Sequence, residues 1–147
     1  MEEVEYRLTS FEGEYREGIV ALRLAVFVDE QRVPEELEID EHDPEARHLV
    51  ALVSGEVIGT LRMLASGDAL KIGRLAVRRD LRNRGVGSRL MEMAVDHARR
   101  SGFIRAVLNS QVTATPFYQR FGFREEGEVF DDAGIPHIRM VRVLDSQ

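Results

Sequence analysis

The sequence predicts an α/β fold: a mixed, mostly antiparallel sheet of six to seven strands flanked by helices. Three observations predict it. The chain has 147 residues, the size of one domain spanning 1–147. Short β-prone runs alternate with turn residues along it, and three other segments carry apolar residues at helical spacing. Taken in chain order these read βαβββαβαββ, so one crossover around the central helix must join strands that are otherwise linked as hairpins.

Val4, Tyr6 and Leu8 alternate with polar residues as in a half-buried strand, and residues 10–13 end it. Tyr15, Ile19, Leu22 and Val26 then recur at helical spacing, predicting an amphipathic helix that runs towards Phe27 and stops before Pro34. The acidic segment that follows reads as loop or short helix. Residues 48–53 and 57–64 are apolar and β-prone around Ser54-Gly55-Glu56, a hairpin signal, and Ser66-Gly67-Asp68 leads into a third strand over 69–77. Val86, Leu90, Met93, Ala94 and His97 share one helical face, with Gly102 placed as a C-terminal cap. A buried strand is predicted over 104–109. Thr115 before Pro116 predicts a helix start with Thr115 as cap, the short helix running to Gly122, and two final strands surround residues 131–134.

Composition narrows the function. The formal charge of −6 argues against bulk nucleic-acid binding, and no apolar run approaches the roughly 20 residues that cross a bilayer. Met1-Glu2-Glu3-Val4-Glu5 is acidic where a signal peptide is basic, so a cytoplasmic location is expected. Without cysteine there are no disulfides, no thiolate metal sites and no acyl-cysteine chemistry, and no metal is expected. The charges are unevenly spread. Nine carboxylates lie between Asp29 and Glu45, while Arg74, Arg78, Arg79, Arg82, Arg84 and Arg89 crowd the middle. The acidic segment either draws a cationic acceptor, such as a polyamine, aminoglycoside or basic peptide, or is solvated surface.

Arg82-Asn83-Arg84-Gly85-Val86-Gly87-Ser88 has the makings of an anion cradle. Two glycines let a bulky group approach the backbone, the N–H groups opening the helix are unpaired, and Arg82, Arg84 and Ser88 add donors. Phosphate or pyrophosphate suits it, although the same residues also describe a tight turn with solvated arginines. It is neither a P-loop, which needs G-x-x-x-x-G-K-[ST], nor a Rossmann fingerprint, because Leu90 stands where a third small residue is required.

Arg82 to Gly87 fits Q/R-x-x-G-x-G/A, the signature that follows a β-strand in the GNAT superfamily of N-acetyltransferases, which this sequence resembles. Leu75-Ala76-Val77 resembles that family's splayed strand, and Ala114-Thr115-Pro116-Phe117-Tyr118-Gln119-Arg120-Phe121-Gly122-Phe123 its A-x-x-F-Y-x-x-x-G-F segment. Val26 to Gln31, His48, Ser110-Gln111 and Gly134 to His137 look like a subgroup of small bacterial predicted acetyltransferases. The resemblance implies acetyl-CoA as co-substrate, an amine acceptor and direct transfer between them. It also implies cofactor contacts at Leu75, Val77, Arg82, Asn83, Arg84, Gly85, Val86, Gly87, Ser88 and Gln111, and is compatible with a homodimer.

Under that resemblance the backbone N–H near Val77 polarises the thioester, and Tyr118 protonates the departing thiolate. A phenol of pKa near 10 keeps its proton at neutral pH and can donate to a thiolate of pKa near 8.5. Packing beside Phe117 and Phe121 is the other reading of Tyr118. Many members carry a glutamate on the strand before the loop, where this chain has Lys71-Ile72-Gly73-Arg74. The base is therefore open among Glu30, Glu38, Asp40, His48 and His137, or no dedicated base is needed. Gln31, His48 and His137 are candidates for acceptor binding, with His48 equally able to satisfy a backbone group at its strand's start. The role of Arg74 is open. Two other functions fit parts of the sequence: an acyl-homoserine-lactone synthase, from Leu22-Arg23 through Val26-Phe27 and the Glu38/Asp40 pair, and a non-catalytic CoA-binding module.

Overall fold

The computed structural model describes residues 3–34 and 39–144. Seven strands form one sheet: β1 (Glu5–Ser10), β2 (Arg47–Val53), β3 (Glu56–Ser66), β4 (Ala69–Val77), β5 (Arg105–Gln111), β6 (Arg124–Asp132) and β7 (Ile135–Val143). Their spatial order is β1-β2-β3-β4-β5-β7-β6, and every neighbouring pair is antiparallel except β4 and β5. The single crossover runs through α2 (Val86–Arg100), which lies between β4 and β5 in the chain. Gly102, at φ 84°, takes the left-handed turn that ends α2.

The sheet buries both faces of its first half. Leu90, Met91, Ala94 and Ala98 of α2 pack on Leu61, Leu70, Ile72, Leu108 and Met140. On the opposite face Ile19 and Leu22 of α1 (Arg16–Arg23), with Val26 beyond it, cover Val50, Leu52, Val57 and Ala76. Each Leu, Ile, Val or Met among them, fully buried, contributes about 1.5–3 kcal/mol by leaving water. Helical periodicity extends past α1 as the sequence predicts, but Leu24–Glu30 is a π-helix, with Gln31 N donating to Val26 O at 3.2 Å, five residues back. The last helix, α3 (Thr115–Gln119), is shorter than predicted. Thr115 is not its cap: a 3₁₀ turn over Val112–Ala114 precedes it, Ala114 takes the cap position, and the Thr115 hydroxyl donates to Val112 O at 3.3 Å.

A bulge in β4 shapes everything that follows. Thr60 pairs with Ala76 and Arg62 with Gly73, so Leu61 faces two residues, Arg74 and Leu75. Arg74 takes φ 53° there, a left-handed conformation of the kind that bends a bulged strand. β4 pairs with β5 only at Ala69, Leu70 and Lys71, and beyond that the two strands part into a V.

Candidate active site

One arm of the V opens on a cavity of about 630 Å³. Leu75 and Val77 at the end of β4, Arg82, Asn83, Gly85, Val86, Gly87 and Ser88 all line it. Arg84 belongs to the same loop but is not part of that lining. Gly85 is the N-cap of α2, at φ 85°, and no side chain caps the helix. The first-turn N–H groups are thus left for an anion, reinforced by the positive end of the helix dipole. Arg120, which sequence reasoning passed over, also lines the cavity, with its guanidinium 5.8 Å from the centre of the Phe117 ring. Its place on the helix that carries Tyr118 was the available signal.

The two glycines of the loop are not equivalent. A Cβ on Gly85 would meet nothing within 4 Å, yet its φ penalises any L side chain. On Gly87 a Cβ would make ordinary contacts with Phe117 at 3.7 Å and Val77 at 3.8 Å. Gly85→Ala is therefore expected to destabilise the fold by roughly 1–2 kcal/mol of backbone strain, and Gly87→Ala to change stability little. Thermal unfolding measures both, and equal losses would contradict the assignment of Gly85 as the strained residue.

Arg82 turns inward. Its Nε donates to Val77 O at 2.9 Å, and its two terminal nitrogens grip the Glu30 carboxylate at 2.8 and 2.9 Å. Next to Glu30, Gln31 accepts a hydrogen bond from Gln111 Nε2 at 2.9 Å. The end of the π-helix is thus tied to the loop after β4 by one residue and to the end of β5 by the next. It bridges the mouth of the V.

The other arm opens on a cavity of about 330 Å³, lined by Gln31, Gln111, Tyr118 and His137 among others. Gln31 and Leu75 line both cavities, so the two meet there. Tyr118 is half-buried against Phe117, ring centres 5.0 Å apart, and loss of water pushes its phenol up to about 12. His137 pairs with Gln111 across β5 and β7. Its Nδ1 donates to Ile135 O at 2.7 Å, which leaves the Nε2 lone pair of the neutral ring without an intramolecular role among the described residues.

The other base candidates are engaged elsewhere. Glu30 is held below the usual carboxylate range by its hydrogen bonds from Arg82. Burial pushes Asp40 up, but Arg62 at 2.7 Å and the amide of His42 at 3.0 Å more than offset it, and the net shift is downward. His48 lines neither cavity. Its ring is 1% exposed beside Phe11, its Nε2 donates to Asp43 O at 3.1 Å, and burial lowers its pKa. Glu38 lies outside the described residues.

Two carboxylates of the acidic segment, Asp40 and Asp43, fold onto arginines of their own chain. Asp43 is bonded to Arg23 at 2.7 and 3.2 Å and lies 3.3 Å from Arg62, while Asp40 binds Arg62 and, at 3.2 Å, Arg74. Arg62 and Arg74 line the smaller cavity, so this network forms its floor.

The arrangement has known counterparts. The acetyltransferase (GNAT) domain family matches residues 12–144. YjcF of Bacillus subtilis, an uncharacterized N-acetyltransferase, is 38% identical over 82% of this chain and 87% of its own. ElaA of Escherichia coli is 36% identical over 85% of each chain, and its crystal structure superposes with a TM-score of 0.86 over 95% of this chain and 99% of that one, at 32% identity. An acyl-CoA N-acyltransferase from Pseudomonas aeruginosa superposes with a TM-score of 0.88, at 29% identity, covering 96% of this chain and all of that one. The family match runs unbroken from the turn before α1 to the residue after β7 and so takes in both arms of the V: the chain belongs to the GNAT acetyltransferase family.

Proposed function

We propose that this acyltransferase moves an acetyl group from acetyl-CoA directly to a primary amine, with the co-substrate in the larger cavity and the amine in the smaller. The observation that carries this reading is the meeting of the two cavities at Leu75 and Gln31, with the uncapped helix on one side and Tyr118 and His137 on the other. The pyrophosphate suits the N–H groups of Gly87 and Ser88, with Arg120 beside them. The edge of β4 beyond Lys71 has no strand partner on the β5 side, and the backbone near Val77 offers its N–H to the thioester oxygen.

Acetyl-CoA supplies the activated acyl carbon. As the amine nitrogen bonds to it and the carbon–sulfur bond breaks, His137 Nε2 takes the proton the nitrogen gives up, directly or through one water, and Tyr118 donates a hydrogen bond to the departing sulfur. Neither step needs a covalent enzyme intermediate. The test is incubation with acetyl-CoA and a panel of amines, following free CoA and acetylated product. Tight CoA binding with no product from any amine would instead indicate a binding module. His137→Gln is expected to lower kcat/KM about 100-fold while leaving CoA affinity unchanged. A kcat/KM within about twofold of wild type would remove His137 from the role of base.

A further inference from the structure

The smaller cavity continues past the base of the V. Lys71, Leu108 and Asn109 line it and also line a neighbouring recess of about 300 Å³. That recess holds three cations, Lys71, Arg105 and Arg139, against one carboxylate, Asp68. Strand register explains the grouping. Arg105, Val107, Asn109 and Gln111 alternate onto one face of β5, and Lys71 lies opposite Val107, Arg139 opposite Asn109, and His137 opposite Gln111.

The cations are available to a ligand. Among the described residues Lys71 has no hydrogen-bond or ion-pair partner. Arg105 meets Asp68 at 3.2 Å and Arg139 meets Glu126 at 3.3 Å, each through a single contact between exposed side chains, a kind of pair worth about 0–1 kcal/mol. Among the described residues their remaining guanidinium donors have no other partner. By contrast, Asp40 and Asp43, which a cationic acceptor would need, are already bound to Arg23, Arg62 and Arg74. Of the described residues lining the smaller cavity, the only carboxylate is Asp132, at the end of β6. The groove therefore carries a carboxylate and the proposed base at one end and three cations at the other, with apolar side chains such as Leu75 and Leu108 between.

We infer that the recess of Lys71, Arg105 and Arg139 binds an anionic group, phosphate or carboxylate, carried by the amine acceptor. This rests on the reading of Tyr118 and His137 as the site of transfer. Arg139 is two residues from His137, and Lys71 lies opposite a residue four from Gln111, so the anion and the reacting nitrogen are separated by roughly 7–13 Å at about 3.3 Å per residue.

Matched acceptors test it: ω-aminoalkyl phosphates and ω-aminoalkanoates that span this distance, against n-alkylamines of equal length, each with acetyl-CoA. At least about tenfold higher kcat/KM is expected for an anionic acceptor, since hydrogen bonds to a charged group contribute roughly 1.5–3 kcal/mol. The larger preference of the two anionic series identifies phosphate or carboxylate. Lys71→Gln with Arg139→Gln is expected to reduce the preference below about twofold, and Lys71→Arg to keep it. Equal kcat/KM for anionic and neutral acceptors in the wild-type protein overturns the inference. A second measurement is independent of turnover: hexyl phosphate and hexanoate are titrated into the CoA-saturated protein, following the backbone amides of Asn109 and Arg139 by NMR. Saturable shifts that Lys71→Gln removes, in a variant that still binds CoA, support the recess. Their absence in the wild-type protein overturns it even if an amine is acetylated, whereas saturable shifts with no amine acetylated retain the anion site and count against the amine-transfer reading.

Discussion

Tyr118→Phe is expected to lower kcat about 100- to 1000-fold while changing affinity for CoA less than about twofold, the range set by loss of one positioned proton donor. The aromatic ring packs edge-on against Phe117, a contact phenylalanine keeps, so the variant removes little but the hydroxyl. The size of the pKa shift refines the role that the sequence suggests. Burial pushes the phenol to about 12, so it is protonated at any working pH. Complete transfer of its proton to a thiolate of pKa near 8.5 would run uphill by about 3.5 units, about 5 kcal/mol. In the proposed mechanism Tyr118 therefore serves the departing sulfur as a hydrogen-bond donor, and the proton the thiolate finally takes is the amine's, passed on by His137. In this mechanism the pH profile shows no tyrosine limb between about pH 6 and 10. A descending limb in that range, present in the wild-type enzyme and lost in Tyr118→Phe, would restore the phenol as a full acid; an unchanged kcat would leave it only a packing role.

The features legible in the sequence are those written in local patterns. Strand alternation, the Ser54-Gly55 and Ser66-Gly67 turns and the glycine after α2 each act within a few residues, and the sheet follows from them. The glycine loop was legible for the same reason. The bulge that splays β4 left one local trace, Gly73 inside a strand, which marks such kinks, but its partner Leu61 is a tertiary matter. The π-helix was hidden because Leu22 and Val26 satisfy α-helical spacing as well as they satisfy the wider turn. Farthest from view was the fate of the acidic segment. Asp43 meets Arg23 across 20 positions and Asp40 meets Arg74 across 34, so these two carboxylates become an internal fastening, while Glu41 and Glu45 stay on solvated surface. The two readings of His48 separate by the same means, since its ring closes on Asp43 of that segment and not on the cleft.

That fastening should dominate stability. Arg23 and Asp43 are both 0% exposed, and Asp43→Asn would break a buried ion pair by removing one of its charges, a loss of about 3–5 kcal/mol. At roughly 3 °C per kcal/mol for a chain of this size, the thermal midpoint falls about 10–15 °C. Arg23→Met combined with Asp43→Asn is expected to cost clearly less than the sum of the single changes, because the two side chains share one buried contact that either change alone already breaks. The pH dependence has a definite sign. Burial raises the Asp43 carboxyl, but the Arg23 hydrogen bond, the Asp40 amide and the charges of Arg23 and Arg62 outweigh it, and the folded pKa lies below the unfolded one. Such a group stabilises fully above its unfolded pKa near 3.9, and the contribution is lost as pH falls through the lower folded value. His48, lowered by burial, adds loss in the same direction, beginning as pH falls through its unfolded value near 6.5. Asp43→Asn should therefore flatten the strongly acidic part of the stability curve while leaving the decline near pH 6 in place. A midpoint within about 3 °C of wild type would show that the pair is not what holds the loop. Because Arg62 and Arg74 reach from this network into the smaller cavity, where the proposed function seats the amine, the same variant is expected to raise the acceptor KM several-fold with CoA affinity unchanged, a split that general loss of stability does not produce.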